Sequence, residues 1–177
     1  MRRARGFTLI ELLIVISIIG VLLGVMVPNL RLMQVQARNT AVRLNMRMVS
    51  QAITAYVAEN GHYADDFYED GYGYIFEGGV KDQQLGQFPI NPFTGRIMES
   101  DDFNPGEYDT EQEVSNTSQN GPNDDWGYTA GEMRYQTYAP PGQYYPTMWG
   151  LIGFGNYGFS LRDIDADGYA VIFVLHQ

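Results

Sequence analysis

From Phe7 to Val27 the chain runs for 21 residues with one ionisable side chain, Glu11. A helix rises about 1.5 Å per residue, so this run reaches roughly 30 Å, the depth of one bilayer core. Arg2, Arg3 and Arg5 precede it, and basic flanks stay on the cytoplasmic side of a membrane. A cleaved secretory signal is the competing reading. It needs an apolar region of about 7–15 residues followed by a small-x-small site. The run here is longer, although Val35-Gln36-Ala37 has the right form. Glu11 separates the two readings. A carboxyl inside an apolar helix costs about 2.5–3.5 kcal/mol on insertion scales, and a signal peptide has no use for it. A cut after Gly6 supplies a use, because Phe7 then carries a free α-amino cation one helical turn from Glu11. The carboxylate can pair with its own terminus or with that of a neighbouring chain. Pairing between chains would neutralise a buried charge and set a register.

The string GFTLIELLIVISIIGVLLGVMVP closely resembles the class III signal of type IV pilins and of type II secretion pseudopilins. That resemblance implies that a membrane prepilin peptidase cuts between Gly6 and Phe7 and N-methylates Phe7, and that Glu11 serves in assembly. It also implies a precursor held in membrane lipid as a single-pass cytoplasmic membrane protein. Its partners would be further copies of itself and an inner-membrane assembly platform, and its destination an extracellular or periplasmic filament.

Gly20, Gly24 and Pro28 recur every four residues and share one helix face. Gly20-x-x-x-Gly24 has the form of a close-packing helix interface. Pro28 has no N–H to donate to the Gly24 carbonyl, and two glycines lower helix propensity further. A helix that bends or locally melts between Gly20 and Pro28 is therefore expected, which would let subunits adjust as they leave the lipid and pack into a filament. Residues 29–60 then continue without Pro or Gly until Gly61, with Val35, Val42, Val49 and Tyr56 at sevenfold spacing. Leu32, Met46 and Ile53 complete an amphipathic stripe. In the resembling family this half of the helix packs on a small antiparallel sheet.

The net charge of −10 is divided unevenly. Residues 1–60 carry seven Arg against Glu11 and Glu59, a net +5, and residues 61–177 carry four basic side chains against nineteen carboxylates, a net −15. An acidic head is a poor nucleic-acid binder, so no sequence-specific nucleic-acid partner is expected. Arg31, Arg38, Arg43 and Arg47 form either a solvated basic face or a set of partners for the acidic heads of adjacent subunits. Salt would weaken such exposed pairs.

The expected division is a basic leader 1–6, a helix 7–60 (7–28 transmembrane and filament core, 29–60 amphipathic) and an acidic head 61–177. Within the head, 61–125 reads as a long turn-rich connection and 126–177 as a β-sheet. Segment 104–125 has almost no large aliphatic residue and reads as a mobile surface loop, with a sequon at Asn116-Thr117-Ser118. Met133 to Ala139 alternates as a strand. Tyr157–Arg162 and Tyr169–Leu175 flank a turn as a hairpin, the last strand being apolar on both faces and expected central or covered. The fold class is α+β, a long helix on a small antiparallel head, type IV pilin-like. ITAYVAENGHY, FPINPFTGRIM and NPGEY also resemble segments of pilin-like secretion and pilus proteins.

Asp163, Asp165 and Asp167 with Gly168 match the opening D-x-D-x-D-G of a calcium loop, but the twelfth position, where a glutamate belongs, is Val174. The other reading is a turn whose aspartates serve turn chemistry. Tyr135, Tyr138, Tyr144, Tyr145 and Trp149 gather around Pro140-Pro141, either as a platform for sugars or surfaces in an adhesive module or as core. Catalysis has little to stand on. His62 and His176 are the two histidines and Cys is absent, and neither a nucleophile–histidine–acid pattern nor a phosphate loop is present. A carboxylate pair for glycoside chemistry stays open on composition. The expectation is a structural subunit, either of a long pilus or of a type II secretion pseudopilus.

Overall fold

The computed structural model describes residues 7–68, 71–76, 88–115, 129–164, 166–167 and 170–176. The chain divides into two compact units, Met1–Ala37 and Arg38–Gln177. The first helix, α1 (Leu9–Asn60), runs through the boundary between them.

In the first unit α1 exposes every residue from Leu9 to Gln34. The helix is long and apolar enough to cross a membrane by length and composition. Its helical assignment is unbroken through Gly20, Gly24 and Pro28, so the single chain shows no melted turn there. The expected melting is not seen in the single chain, and for the assembled filament it stands as a proposal.

In the second unit the stripe read from the sequence becomes the core face of α1. Val42, Met46, Val49, Ala52, Ile53 and Tyr56 are all buried. They share one apolar cluster with Met133, Tyr135, Trp149 and Leu151. The helix ends at Gly61, whose φ of +78° is the left-handed conformation that closes a helix without a Cβ clash. The Gly61 N–H reaches the Val57 carbonyl at 2.8 Å.

The head sheet has four strands in the order β1 (Gly106–Glu107), β2 (Met133–Tyr138), β3 (Met148–Gly153) and β6 (Val174–His176). The last two pairings are antiparallel, but β1 pairs with β2 in parallel, Gly106 opposite Gln136. The sheet is therefore mixed rather than antiparallel. A separate hairpin joins β4 (Arg162–Ile164) to β5 (Ala170–Ile172). The run expected as one final strand is two. At Phe173 the backbone leaves the hairpin, its N–H donating to the Leu161 carbonyl at 2.7 Å. From Val174 it pairs with Ile152 instead. β6 lies at the end of the sheet order with half-buried Val174 and Leu175, so it is neither central nor fully covered.

The connection from 61 holds short elements, as expected: 3-10 turns at Tyr72–Ile75 and Ser100–Phe103, and the helical turn α2 (Glu111–Val114). Segment 104–115 is not a loose loop. Thr110 and Glu113 form a capping box at the start of α2, and Val114 is fully buried. One aliphatic side chain and one pair of strand residues are enough to hold it down. Residues 116–128, with the sequon and Trp126, lie outside the described residues. FPINPFTGRIM forms a tight turn closed by the Ile90–Ile97 bridge. Buried Asn91 accepts at Oδ1 from the Phe93 and Thr94 N–H groups and donates to the Ala130 carbonyl.

Glycine sets the close packing around β3. A Cβ on Gly153 would come within 2.8 Å of both Met46 Sδ and Val42 Cγ1, and one on Gly150 would collide with the Val114 carbonyl. Gly150→Ala should therefore push α2 off the sheet and cost about 1–3 kcal/mol as overpacking. Thermal melts of the full chain in detergent check this, and an unchanged Tm would show that α2 yields freely.

Candidate functional site

The candidate site is the start of α1. Thr8 precedes the first helical residue, and its side chain and backbone both meet Glu11. The Thr8 N–H donates to Glu11 Oε2 at 2.8 Å and the Thr8 hydroxyl donates to the same oxygen at 2.7 Å. The Glu11 N–H points back to Thr8 Oγ1 at 3.4 Å. This reciprocal pair is a capping box, in which a Thr and a Glu three residues on satisfy orphan donors of the first turn. Glu11 thus has a structural use inside one chain, which the sequence reading overlooked. The signal was present, because T-x-x-E before an apolar run is the capping-box pattern. Glu11 Oε1 has no partner among the described residues, so the carboxylate keeps one oxygen for another group. Phe7 is exposed at the end of the segment. Gly6 lies outside the described residues, so the cleavage position is not described by this structure.

Farther along, positions that would hold a Cβ on Gly20 and Gly24 have no atom within 4 Å. That leaves one open, knob-free patch on the helix, the shape needed for close approach of a second helix.

The aspartate segment links β4 to β5. Asp163 pairs in register with Val171. Its Oδ2 meets Arg43 Nη1 at 3.4 Å. Arg43 also donates to the Arg162 carbonyl and lies over the Phe173 ring. The Ile164 N–H donates to Asp163 Oδ1 at 2.9 Å. That backbone bond, with Arg43 adding to it, holds the Asp163 carboxyl below its ordinary pKa. Asp165 and Gly168 lie outside the described residues. Among the described residues no group of three His, Cys, Asp or Glu gathers as a metal site. Val174, the twelfth position, is paired in β6 and offers no oxygen side chain. These residues fit a calcium loop poorly. Calcium at millimolar concentration is expected to leave the Tm of the protein unchanged, and a rise of several degrees would restore the cation reading.

The five aromatics do not form one platform. Strand alternation sends Tyr135 and Trp149 into the core, and the Tyr135 hydroxyl donates to the Ala64 carbonyl at 2.8 Å. Tyr144 and Tyr145 remain exposed. Tyr145 stacks on His62 with ring centroids 3.6 Å apart, beside an open cleft of about 520 Å³ that includes Val57 and Tyr63. Nearness in sequence misled here, since alternate residues of a strand face opposite sides. Among the basic residues of α1, Arg43 pairs within its own head, and Arg38 lies 5.6 Å from the Phe93 ring centroid.

Residues 1–27 match the family model described as the prokaryotic N-terminal methylation motif. The type IV major pilin protein PilA of Myxococcus xanthus is 36% identical over 70 residues, 40% of this chain and 32% of its own. The type IV wide pilus major component PilA4 of Thermus thermophilus is 41% identical over 66 residues, 37% of this chain and 50% of its own. The type II secretion system core protein G of Klebsiella pneumoniae is 38% identical over 63 residues, 36% of this chain and 45% of its own. The chain thus spans between a third and a half of the length of these relatives. No solved structure matches it. Over its N-terminal segment, with the apolar helix and the capped Glu11, the chain is thus similar to type IV pilins and to a type II secretion pseudopilin.

Proposed function

We propose that the protein is a structural subunit of a type IV pilus-like filament, cut between Gly6 and Phe7 by a prepilin peptidase and N-methylated on Phe7. The observation that carries this reading is the exposed apolar helix that opens with Glu11 and matches the methylation motif over residues 1–27. The helix is stored in membrane lipid and then moves into the filament core, where protein replaces lipid around the same apolar surface. Glu11 Oε1 receives the α-amino group of a neighbouring Phe7. Flexibility at Gly20, Gly24 and Pro28 lets the helix adjust as it leaves the membrane. The acidic head faces outward, and an inner-membrane platform drives the extraction. No catalytic role is assigned to the chain. A pseudopilin of a type II secretion system is the second reading, favoured by the similarity to core protein G.

Mass spectrometry of the N-terminal peptide in sheared extracellular fibres and in the remaining envelope tests both. A methylated Phe7 terminus abundant in the fibres supports the pilus reading. The same terminus confined to the envelope supports the pseudopilus. A mature chain that begins at Arg38 overturns both.

A further inference from the structure

We propose that the cleft beside His62 and Tyr145 is a binding site for a neutral saccharide, with the rings of Tyr144 and Tyr145 as its walls. The proposal concerns the head alone and does not rest on the filament reading.

Tyr144 is 90% exposed and Tyr145 46% exposed. Their rings stand at 89° with centroids 5.0 Å apart, so they make an open corner rather than a closed stack. Tyr145 is backed by the His62 ring, parallel to within 13°. His62 in turn stands edge-on to Tyr56 at 5.8 Å, and Tyr56 is part of the buried core. The loop that carries the corner is fastened on both sides. The Gln143 N–H donates to the Pro140 carbonyl at 3.0 Å and the Thr147 N–H to the Tyr138 carbonyl at 2.9 Å, and Pro146 between them is buried. A tyrosine presented in this way offers a large amphipathic face with only two side-chain torsions to immobilise on binding.

The chemistry of the walls selects the ligand. Among the described residues the cleft is lined by no Asp, Glu, Lys or Arg, although residues 61–177 carry a net −15. An anion finds no basic side chain there and a cation finds no carboxylate. The polar groups that remain are neutral: the Gln143 amide and the hydroxyls of Tyr144, Tyr145 and Thr147. None of these has a hydrogen-bond partner among the described residues. The Tyr63 carbonyl lies 3.1 Å from His62 Nδ1. A carbonyl only accepts, so Nδ1 donates and Nε2 of the neutral ring is left as an acceptor. Hydroxyls and an amide both donate and accept. A pyranose matches this set, with C–H groups on its ring faces to lie against an aromatic face and a rim of hydroxyls that donate and accept. The cleft holds about 520 Å³, within the roughly 300–1,000 Å³ of small-molecule sites, so it has room for a short oligosaccharide. Sugars whose ring substituents are all equatorial have the flattest C–H faces, which makes cellotriose and N-acetylchitotriose the probes of choice.

The test uses the full-length protein in a detergent without a sugar headgroup. Each saccharide is titrated and followed by saturation-transfer NMR, which reads ligand C–H groups that lie on the protein. Binding with a Kd of about 1 mM or tighter is expected for at least one of them. Tyr144→Ala should weaken it about tenfold. Tyr144→Phe keeps the ring and should weaken it less. Tyr157→Ala removes a comparably exposed ring elsewhere on the head and should leave binding unchanged. Tyr144 stands almost wholly in solvent, so its variants should keep the parent Tm. If Tyr144→Ala lowers the Tm, Gln143→Ala with Thr147→Ala replaces it and should also weaken binding. No transfer to either saccharide, or binding that survives removal of these side chains, overturns the proposal. Binding of hexaproline or of choline in place of both saccharides also overturns it, because the corner would then serve a peptide or a cation. None of these outcomes bears on processing at Phe7 or on filament formation.

Discussion

Glu11→Gln is expected to abolish fibres while leaving a processed, membrane-held protein at normal levels. The substitution is chosen because glutamine at this position still accepts from the Thr8 N–H, so the capping box survives while the charge is lost. If Glu11 served only to start the helix, Glu11→Gln would be nearly silent, and Thr8→Ala, which removes about 1 kcal/mol of capping, would be the worse variant. In the filament reading the order is reversed. A charge pair in an apolar surround costs about 3–5 kcal/mol to break from one side, which is more than about a hundredfold in each assembly equilibrium. Sheared-fibre yield, membrane abundance and Phe7 processing, measured side by side for Glu11→Gln and Thr8→Ala, decide the matter. Normal fibres from Glu11→Gln would reduce Glu11 to a cap.

The second large effect concerns alkaline pH. Tyr72 and Tyr135 are fully buried, with their hydroxyl oxygens 3.0 Å apart, and the Ala64 N–H donates to Tyr72 Oη at 3.0 Å. Burial pushes both phenols above the ordinary tyrosine range, and for Tyr135 repulsion by an ionised Tyr72 acts in the same direction. A group whose folded pKa is raised contributes its full stability below the unfolded pKa and loses it as pH rises towards the folded one. The unfolded chain releases these two protons near pH 10 and the folded head does not. Above that pH, stability should fall by about 1.4 kcal/mol per pH unit for each phenol. Two phenols over two pH units approach the whole stability of a typical domain. Urea melts in detergent at pH 7, 9 and 11 should therefore show little change between the first two and, one unit above pH 10, a loss of about 3 kcal/mol at the third. Tyr135→Phe should cost about 1–3 kcal/mol at pH 7 through the lost hydrogen bonds and flatten the alkaline fall. A midpoint at pH 11 equal to that at pH 9 would contradict this account.

The helix and its core face were legible because periodicity is a property of the sequence itself: Val42, Met46, Val49, Ile53 and Tyr56 repeat at helical spacing, and Gly61 marks the stop. β2 was legible for the same reason, at period two. β3 was not, although it lies between β2 and β6. Met-Trp-Gly-Leu-Ile-Gly carries two glycines that resemble turn residues and is buried on both faces, so neither alternation nor strand propensity marks it. Those glycines answer to α2 and to Met46, partners far away in sequence. The switch at Phe173 was invisible because Tyr-Ala-Val-Ile-Phe-Val-Leu is apolar throughout and says nothing about which neighbour each residue will pair with. β1 is two residues long, too short to carry a periodicity. At the site, Thr8 and Glu11 were legible as a local T-x-x-E pattern before an apolar run. The corner at Tyr144 and Tyr145 depends on the stacking of Tyr145 on His62, which no local pattern anticipates.

The way α1 meets β3 also bears on tension. A pull that reaches the second unit at Arg38 acts along the part of α1 that belongs to that unit. Between Val42 and Tyr56 the helix is fastened sideways, by side chains seated on glycine positions and strand residues, so traction strains these contacts together in shear rather than peeling them one by one. With no cysteine in the chain, no disulfide backs them up. The seating of Val42 and Met46 over Gly153 is among the contacts that carry such a load, and a bulkier residue at that position is expected to make the subunit mechanically weaker as well as less stable.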